Sequence, residues 1–174
     1  VYISGFTVTG ADDASGIYLY SSNNSRIENV NASNNEDGIY LSHSSNNTIA
    51  NNTISNNDYG IQLDYSSNNT IYLNNFINNT YQVSSSSSTN IWNSTEKITY
   101  TYKGKKYENY LGNYWDDYKG SDADGDGIGD TPYIIDSDKD NYPLMQPFNY
   151  YFVPNEPKVS ISTDKHEYRA GDVM

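Results

Sequence analysis

The sequence contains no cysteine and few basic residues, with 10 Lys and Arg against 22 Asp and Glu and a net charge of −12. Disulfide bonds are therefore excluded, although an extracellular protein with long backbone ladders does not need them. The charge argues against nucleic acid and anionic membrane surfaces as partners, because both require clustered cations. The one basic cluster, Lys103, Lys105 and Lys106, is typical of a solvated hairpin. No apolar run is long enough to cross a bilayer, which argues against direct membrane insertion.

A pattern that returns every 22 residues organises the first half of the chain. The tetrapeptide Gly-Ile-Tyr-Leu at 16–19 recurs at 38–41, and Gly-Ile-Gln-Leu follows at 60–63. Polar runs rich in Asn and Ser fill the intervals, and two extra residues lie between 11 and 15. A fixed period of this length indicates stacked units, each of which buries its apolar face against its neighbours.

Within each repeat the apolar residues alternate with a period of two, which predicts strands of a few residues separated by tight turns. Three such strands per repeat make one coil of a parallel β-helix. We therefore predict an all-β fold, a right-handed parallel β-helix of about four 22-residue coils. The predicted inward columns are Ile3-Ile27-Ile49-Ile71, Val8-Ala32-Ile54-Phe76, Ile17-Ile39-Ile61-Val83 and Leu19-Leu41-Leu63.

Two other columns have polar or aromatic side chains. Asn34, Asn56 and Asn78 recur at the same position, and we expect their side-chain amides to hydrogen-bond along the helix axis. Tyr18 and Tyr40 fall on the outward face, where we expect their rings to stack.

The rhythm breaks after residue 83. We interpret Ser84–Ser88 as a loop between coils, and the alternation from Lys97 to Tyr107 as a β-hairpin. The last coil of a solenoid needs a cap, since it otherwise exposes its interior and its strand edges. We expect an irregular cap between Trp92 and Phe148. Its candidate plug residues are Trp92, Tyr110, Tyr114 and Trp115.

The cap contains an acidic loop with the spacing of a calcium site. Asp122, Asp124, Asp126 and Asp130 take positions 1, 3, 5 and 9, and Gly follows the third Asp, as in calcium loops. The Ile128 carbonyl is a further candidate ligand. The Glu expected at position 12 is replaced by Tyr, and no helix pattern flanks the loop, so this is not an EF-hand. We predict Ca²⁺ as cofactor here, with the missing ligand expected from Asp116, Asp117, Asp136 or Asp138.

Two further sets of candidate sites follow from spacing alone. Asp136, Asp138 and Asp140 alternate along the chain and form a second candidate metal cluster. Asn-x-Ser/Thr sequons mark candidate glycosylation sites. They begin at Asn23, Asn31, Asn46, Asn51, Asn68, Asn78 and Asn93, and Asn93 stands apart because it lies outside the regular repeats.

The repeats resemble those of the NosD family, named after a periplasmic copper-maturation protein. The segments 112–118, 122–133 and 140–145 are similar to the region that closes such β-helices in archaeal cell-surface proteins, and 158–173 resembles the start of an immunoglobulin-like surface module. The resemblance implies an extracellular location. The copper association finds little support here, because the few candidate donors, His43, His166, Met145 and Met174, show no ligand spacing.

These observations divide the chain into β-helix repeats at 1–91, a cap at 92–150 and a linker with the start of another module at 151–174. We expect an extracellular structural module of a surface layer, sheath or filament, whose partners are other copies, other domains or glycans. Because Val1 falls inside a coil, we expect it to belong to a longer protein or a repeating assembly.

The alternative is a polysaccharide-degrading β-helix enzyme, a lyase or a glycoside hydrolase. It rests on fold analogy and on Glu36 and Asp58, which share a column on adjacent coils. A lyase would also need a basic residue over a carboxylate site, and Arg26 and Arg169 fall in different modules. We favour the structural role, because the repeats are too regular to contain an active site.

Overall fold

The structure, a computed structural model, describes residues 1–152 and consists almost entirely of short β-strands. The predicted immunoglobulin-like segment at 158–173 lies outside the described residues. Within residues 1–152, no helix is long and apolar enough to cross a membrane.

Each of the first four coils contributes three strands, two of three residues and one of six. The first coil holds β1 (Tyr2–Ser4), β2 (Thr7–Thr9) and β3 (Ser15–Tyr20), and the second holds β4 (Arg26–Glu28), β5 (Asn31–Ser33) and β6 (Asp37–Ser42). The third holds β7 (Thr48–Ala50), β8 (Thr53–Ser55) and β9 (Tyr59–Asp64), and the fourth holds β10 (Thr70–Tyr72), β11 (Asn75–Ile77) and β12 (Tyr81–Ser86).

The remaining elements belong to the cap. They are β13 (Ile98–Tyr102), β14 (Lys105–Asn109), β15 (Tyr114–Trp115), β16 (Tyr133–Ile135), β17 (Asp138–Asp140) and a short 3-10 helix (Phe148–Tyr151). β13 pairs antiparallel with β14, which confirms the predicted hairpin, and β16 pairs antiparallel with β17.

Equivalent strands of successive coils pair in parallel and form three sheets, in the orders β1-β4-β7-β10, β2-β5-β8-β11-β15 and β3-β6-β9-β12. The register joins Ile3 to Ile27 and Leu19 to Leu41, as the 22-residue period requires. The prediction of a parallel β-helix is therefore confirmed.

The predicted columns form the core. Ile27, Ile49 and Ile71 are completely buried, and so are the members of the other columns in the middle coils. The interpretation of Ser84–Ser88 as a loop was wrong for its first three residues, because Ser84, Ser85 and Ser86 complete β12, and only Ser87 and Ser88 lie in the turn that follows. Ser85 pairs with Leu63 and so continues the leucine column. These serines belong to a strand because their backbone pairs with β9 of the preceding coil, and a run of serines in the sequence does not indicate that pairing.

The amide ladders lie one residue away from the predicted column. Asn34, Asn56 and Asn78 have positive φ angles of 53° to 56° and exposed side chains, so they form the left-handed turn positions. The next residues form the ladder: the Asn35 amide nitrogen donates to Asn57 Oδ1 at 3.2 Å, and that of Asn57 donates to Asn79 Oδ1 at 3.0 Å. The expectation for Asn34, Asn56 and Asn78 was therefore wrong.

Two other asparagine ladders extend past the fourth coil. The Asn69 side chain donates to Asn90 Oδ1 at 3.0 Å, and that of Asn74 donates to Asn113 Oδ1 at 3.0 Å. Ile91 bridges to Thr70 and β15 pairs with β11, so part of a fifth coil persists beneath the fourth. The β13-β14 hairpin is an excursion from this partial coil.

Stacked aromatic rings close the interior of the helix. Trp115 stacks on Phe76 and on Tyr133, each with 4.3 Å between ring centroids, and Trp92 packs beside it. Trp92 and Trp115 are buried, as the prediction of an aromatic plug requires. The other two candidate plug residues, Tyr110 and Tyr114, are only half-buried.

Candidate functional site

The acidic loop after β15 brings three carboxylates together. One oxygen each from Asp122, Asp124 and Asp126 lies within 4.8 Å of the others. Backbone N–H groups of the loop donate to the same side chains: Gly127 to Asp122 Oδ2 at 3.2 Å, and Ile128 to Asp126 Oδ1 at 2.8 Å. These bonds wrap the backbone around the three side chains and leave other oxygens free to bind a cation.

Asp130 is not one of the three converging carboxylates, although it lines the same cavity as Asp124 and Asp126. Its Oδ2 accepts hydrogen bonds from Ser121 Oγ at 3.0 Å and from the Ala123 N–H at 2.9 Å. These contacts join the two ends of the loop, so Asp130 stands outside the group of three. The neighbouring Ile128 is buried and forms a β-bridge with Leu144, which attaches the loop to the cap.

Two buried oxygen atoms near the cluster lack the hydrogen-bond donor or cation that a buried oxygen normally contacts. Asp122 Oδ1 and the hydroxyl of Tyr100 are both buried and have no hydrogen-bond partner in the described part of the chain. Tyr100 is 2% exposed and comes from the β13-β14 hairpin. Sequence reasoning missed it, although the hairpin's alternation places it on the same face as Tyr102.

The electrostatics of the loop favour a bound cation. Burial raises the pKa of the Asp126 carboxyl above its usual value, and the carboxylates of Asp124 and Asp122 add to this rise. Burial also raises the pKa of the Tyr100 hydroxyl, with a further contribution from the charge of Asp126. Asn109, also missed in the sequence, shares a cavity of about 190 Å³ with Asp124 and Asp126. Carboxylate and amide oxygens are hard ligands suited to Ca²⁺.

The residues expected to supply a missing ligand lie elsewhere. Asp116 accepts hydrogen bonds from the Asn78 N–H at 2.6 Å and from Gln82 Nε2 at 2.5 Å. Asp117 accepts one from the Tyr133 hydroxyl at 3.1 Å. Both line a separate cavity of about 550 Å³ beside β12, together with Asp136.

The second acidic cluster contacts the ends of the ladders. Asp138 Oδ2 accepts a hydrogen bond from the Asn90 N–H at 2.8 Å, and Asp140 Oδ2 accepts one from the Asn113 N–H at 2.7 Å. Asp136 Oδ2 accepts one from the Ser85 N–H at 3.2 Å. Since a carboxylate accepts without needing to donate onward, it suits the final position of an amide ladder.

Asp140 is the most buried of these acids, with no exposed surface. Besides Asn113, it accepts hydrogen bonds from the Trp115 indole N–H at 3.0 Å and from the Tyr142 N–H at 2.9 Å. Burial nevertheless raises the pKa of this carboxyl to about 6.

The sequons mostly lie on turns. Five of their asparagines are exposed, namely Asn23, Asn31, Asn46, Asn68 and Asn78, whereas Asn51 and Asn93 are half-buried. The side-chain amide of Asn93 donates to the Ser94 carbonyl at 2.8 Å. The exposed turn positions are therefore better glycosylation candidates on geometry than Asn93.

The residues considered for catalysis lie on different elements of the described structure. Glu36 and Asp58 are both exposed on turns, and Glu36 lines a groove whose lining does not include Asp58. Arg26 pairs with Glu28 on its own strand, with 2.5 Å between Nε and Oε2.

Comparison with known proteins supports the repeat assignment. A family model described as "Periplasmic copper-binding protein (NosD)" matches residues 2–120, which include all four coils and the start of the cap. The chain belongs to the NosD family. No curated protein and no solved structure matches it. The family description is that of a periplasmic protein, which supports a location outside the cytoplasm for this NosD member, in the cell envelope or beyond.

The donor atoms that converge in residues 1–152 do not fit copper. The group of three converging ligands in residues 1–152 is made of aspartates alone, whereas copper favours imidazole and sulfur donors. His43 is exposed, stacks on Tyr65 at 5.2 Å and contacts Ser42 Oγ. We therefore derive no copper chemistry from these residues.

Proposed function

We propose that this member of the NosD family is a structural and adhesive module of an extracellular assembly, such as a surface layer, sheath or filament, where it holds further protein copies and glycans. The observation that supports it is the continuity of the axial ladders. Asparagine side-chain amides donate from coil to coil, from Asn52 to Asn74 and on to Asn113, and the Asn113 amide donates to Asp140 of the cap. Such ladders rigidify the β-helix, and the cap covers the end after the fourth coil. A rigid rod of this kind suits a module that supports and spaces other parts of an assembly.

The opposite end of the rod supports the assembly part of the proposal. Within the described residues, β1, β2 and β3 each pair on one side only. Tyr2 and Phe6 are exposed there, and Ile3 and Val8 are only half-buried. An open sheet edge over a partly covered apolar interior is a template for another strand or coil. We propose that this edge is covered by further polypeptide, either another part of the same protein or a second copy of it.

The test is the mass of residues 1–174 in solution over a concentration series. We expect reversible association that Ile3→Lys abolishes, because the charge would enter the contact between coils. Thr9→Lys is the matched control, since Thr9 is exposed on the outside of the same coil. A monomer at every concentration, or equal association of the two variants, would refute assembly through this edge.

Calcium is the second part of the proposal. Three converging carboxylates and two buried, unpartnered oxygens, Asp122 Oδ1 and the Tyr100 hydroxyl, support a hard cation in this loop. The ion would join the loop to the β13-β14 hairpin and so stabilise the cap. We expect Ca²⁺ to raise the Tm of the chelator-treated protein, and Asp124→Ala to abolish that rise. Asp58→Ala, at an exposed turn of the repeats, should leave the rise unchanged. Equal behaviour of both variants would contradict the assignment.

A further inference from the structure

A groove of about 490 Å³ lies on the outer face of the β3-β6-β9 sheet and extends over the first three coils. The turn from β2 to β3 forms one wall, and it occupies residues 10–14, whereas the equivalent turns of the next two coils occupy only 34–36 and 56–58. This two-residue insertion is the one departure from the repeat in the first three coils. The residues that matter for the argument are Asp13, Tyr18, Glu36, Asp37, Tyr40 and Gln62.

Asp37 has a carboxylate oxygen that lacks a donor. The residue is 6% exposed, and its Oδ2 accepts a hydrogen bond from Ser15 Oγ at 2.9 Å. Its Oδ1 is buried without any hydrogen-bond partner in residues 1–152. Burial raises the pKa of this carboxyl, and the nearby charge of Glu36 adds to the rise. A buried acceptor without a hydrogen-bond donor is energetically unfavourable in the ligand-free protein. A ligand that donates a hydrogen bond to Asp37 Oδ1 would remove this cost.

The groove also offers an aromatic surface. Tyr18 and Tyr40 stack with 4.9 Å between their ring centroids, and Tyr18 is 53% exposed. Tyr18 therefore adds an exposed aromatic surface to the lining of the groove. Gln62 continues the same column and adds an amide that both donates and accepts. An apolar ring face beside hydrogen-bonding groups matches the two surfaces of a sugar ring.

The charges narrow the class of ligand. Asp13, Glu36 and Asp37 place three carboxylates around one groove, which disfavours uronic acids and sulfated sugars. The three do not converge at metal-ligating distance, since the one such group in residues 1–152 is that of Asp122, Asp124 and Asp126. The groove therefore suits an organic ligand with several donors and no negative charge. Its volume lies in the range of small-ligand sites.

We propose that this groove binds a glycan built from neutral or amino sugars, with one sugar ring against Tyr18 and its hydroxyl or ammonium donors on Asp37 and Glu36. The inference rests on the proposed adhesive function and names its ligand and its site. It does not depend on the calcium loop.

The test is titration of the full chain with three short oligosaccharides, neutral glucose-based, glucosamine-based and galacturonate-based, followed by calorimetry and by NMR of the tyrosine rings. We expect the first or the second to bind and the galacturonate oligomer not to bind. Binding of the glucosamine oligomer alone identifies an ammonium donor, and binding of both identifies hydroxyl donors. Binding of the galacturonate oligomer as strongly as the others would overturn the charge argument.

Variants then locate the site. Tyr18→Ser and Asp13→Asn change exposed side chains, so both should fold, and each should weaken binding by about tenfold, equivalent to about 1.4 kcal/mol. The matched control is Tyr81→Ser, because Tyr81 is also an exposed tyrosine that stacks on a neighbour, but on the fourth coil. Absence of binding to the neutral and amino sugars, or equal binding by all variants, would overturn the proposal. Association and Ca²⁺ dependence measured on the same samples show whether the groove alone has failed.

Discussion

The asparagine ladders lead to a sharp prediction about stability. Asn52 is completely buried, and its Oδ1 accepts a hydrogen bond from the Val30 N–H at 3.0 Å. Its Nδ2 donates to the Ile27 carbonyl at 3.1 Å and to Asn74 Oδ1 at 2.9 Å. Asn52→Ala removes both functions and leaves the Val30 N–H and the Ile27 carbonyl without these partners. A buried polar group that loses its hydrogen-bond partner costs about 1–3 kcal/mol. With two such groups, the free energy of unfolding should fall by about 2–6 kcal/mol.

The neighbouring residue supplies the control. Asn51 has a φ of 58°, a backbone conformation that glycine adopts without strain. Asn51→Gly should therefore change the free energy of unfolding by less than about 1 kcal/mol. Both variants remove an asparagine side chain, at adjacent positions. The difference between their free energies of unfolding therefore measures the contribution of the ladder hydrogen bonds, and not the effect of losing an asparagine.

The assay is equilibrium unfolding in guanidinium, which compares the midpoints of the two variants provided that their m-values agree. Hydrogen exchange at the Val30 amide gives an independent reading, since that N–H loses its side-chain acceptor only in Asn52→Ala. Similar midpoints for the two variants, together with a Val30 amide that stays protected, would refute the energetic importance of the ladder.

Three further predictions concern packing and charge. A Cβ on Gly38 would lie 2.6 Å from the Gly60 carbonyl oxygen and from Ile54 Cγ2, so Gly38→Ala should destabilise by about 1–3 kcal/mol, and an unchanged Tm would contradict this. Trp115→Ala should cost about 3–5 kcal/mol and remove near-UV circular dichroism from the cap, whereas a retained signal would contradict the role of Trp115 as a plug. The pKa of Asp140 is raised to about 6, so the folded state binds this proton more tightly than the unfolded chain. Stability should therefore fall as pH rises from about 4 to about 6, by up to about 3 kcal/mol, and Asp140→Asn should remove that part of the pH dependence. The same pH slope in both proteins would count against this assignment.

The acidic loop shows how far spacing alone predicts a candidate site. Alternation along the chain predicted that Asp122, Asp124 and Asp126 converge, because a tight turn brings alternate residues to one side. It did not predict that Asp130 accepts hydrogen bonds within the loop. Nor did it identify Tyr100, which comes from a hairpin distant in sequence. A contact of that kind depends on how the hairpin packs against the loop.

The ladders show the same division in the fold. The 22-residue period by itself determined the coils, the inward columns and the stacking of Tyr18 on Tyr40, because each coil repeats the environment of the coil before it. It could not separate Asn34 from Asn35, since one residue takes a left-handed turn and the other a buried ladder position, and both uses favour asparagine. Only the tertiary structure showed that Asn113 continues a ladder after an excursion of the chain and that Asp140 ends it. These partners are selected by proximity along the helix axis, where hydrogen bonds join residues whatever their separation in sequence.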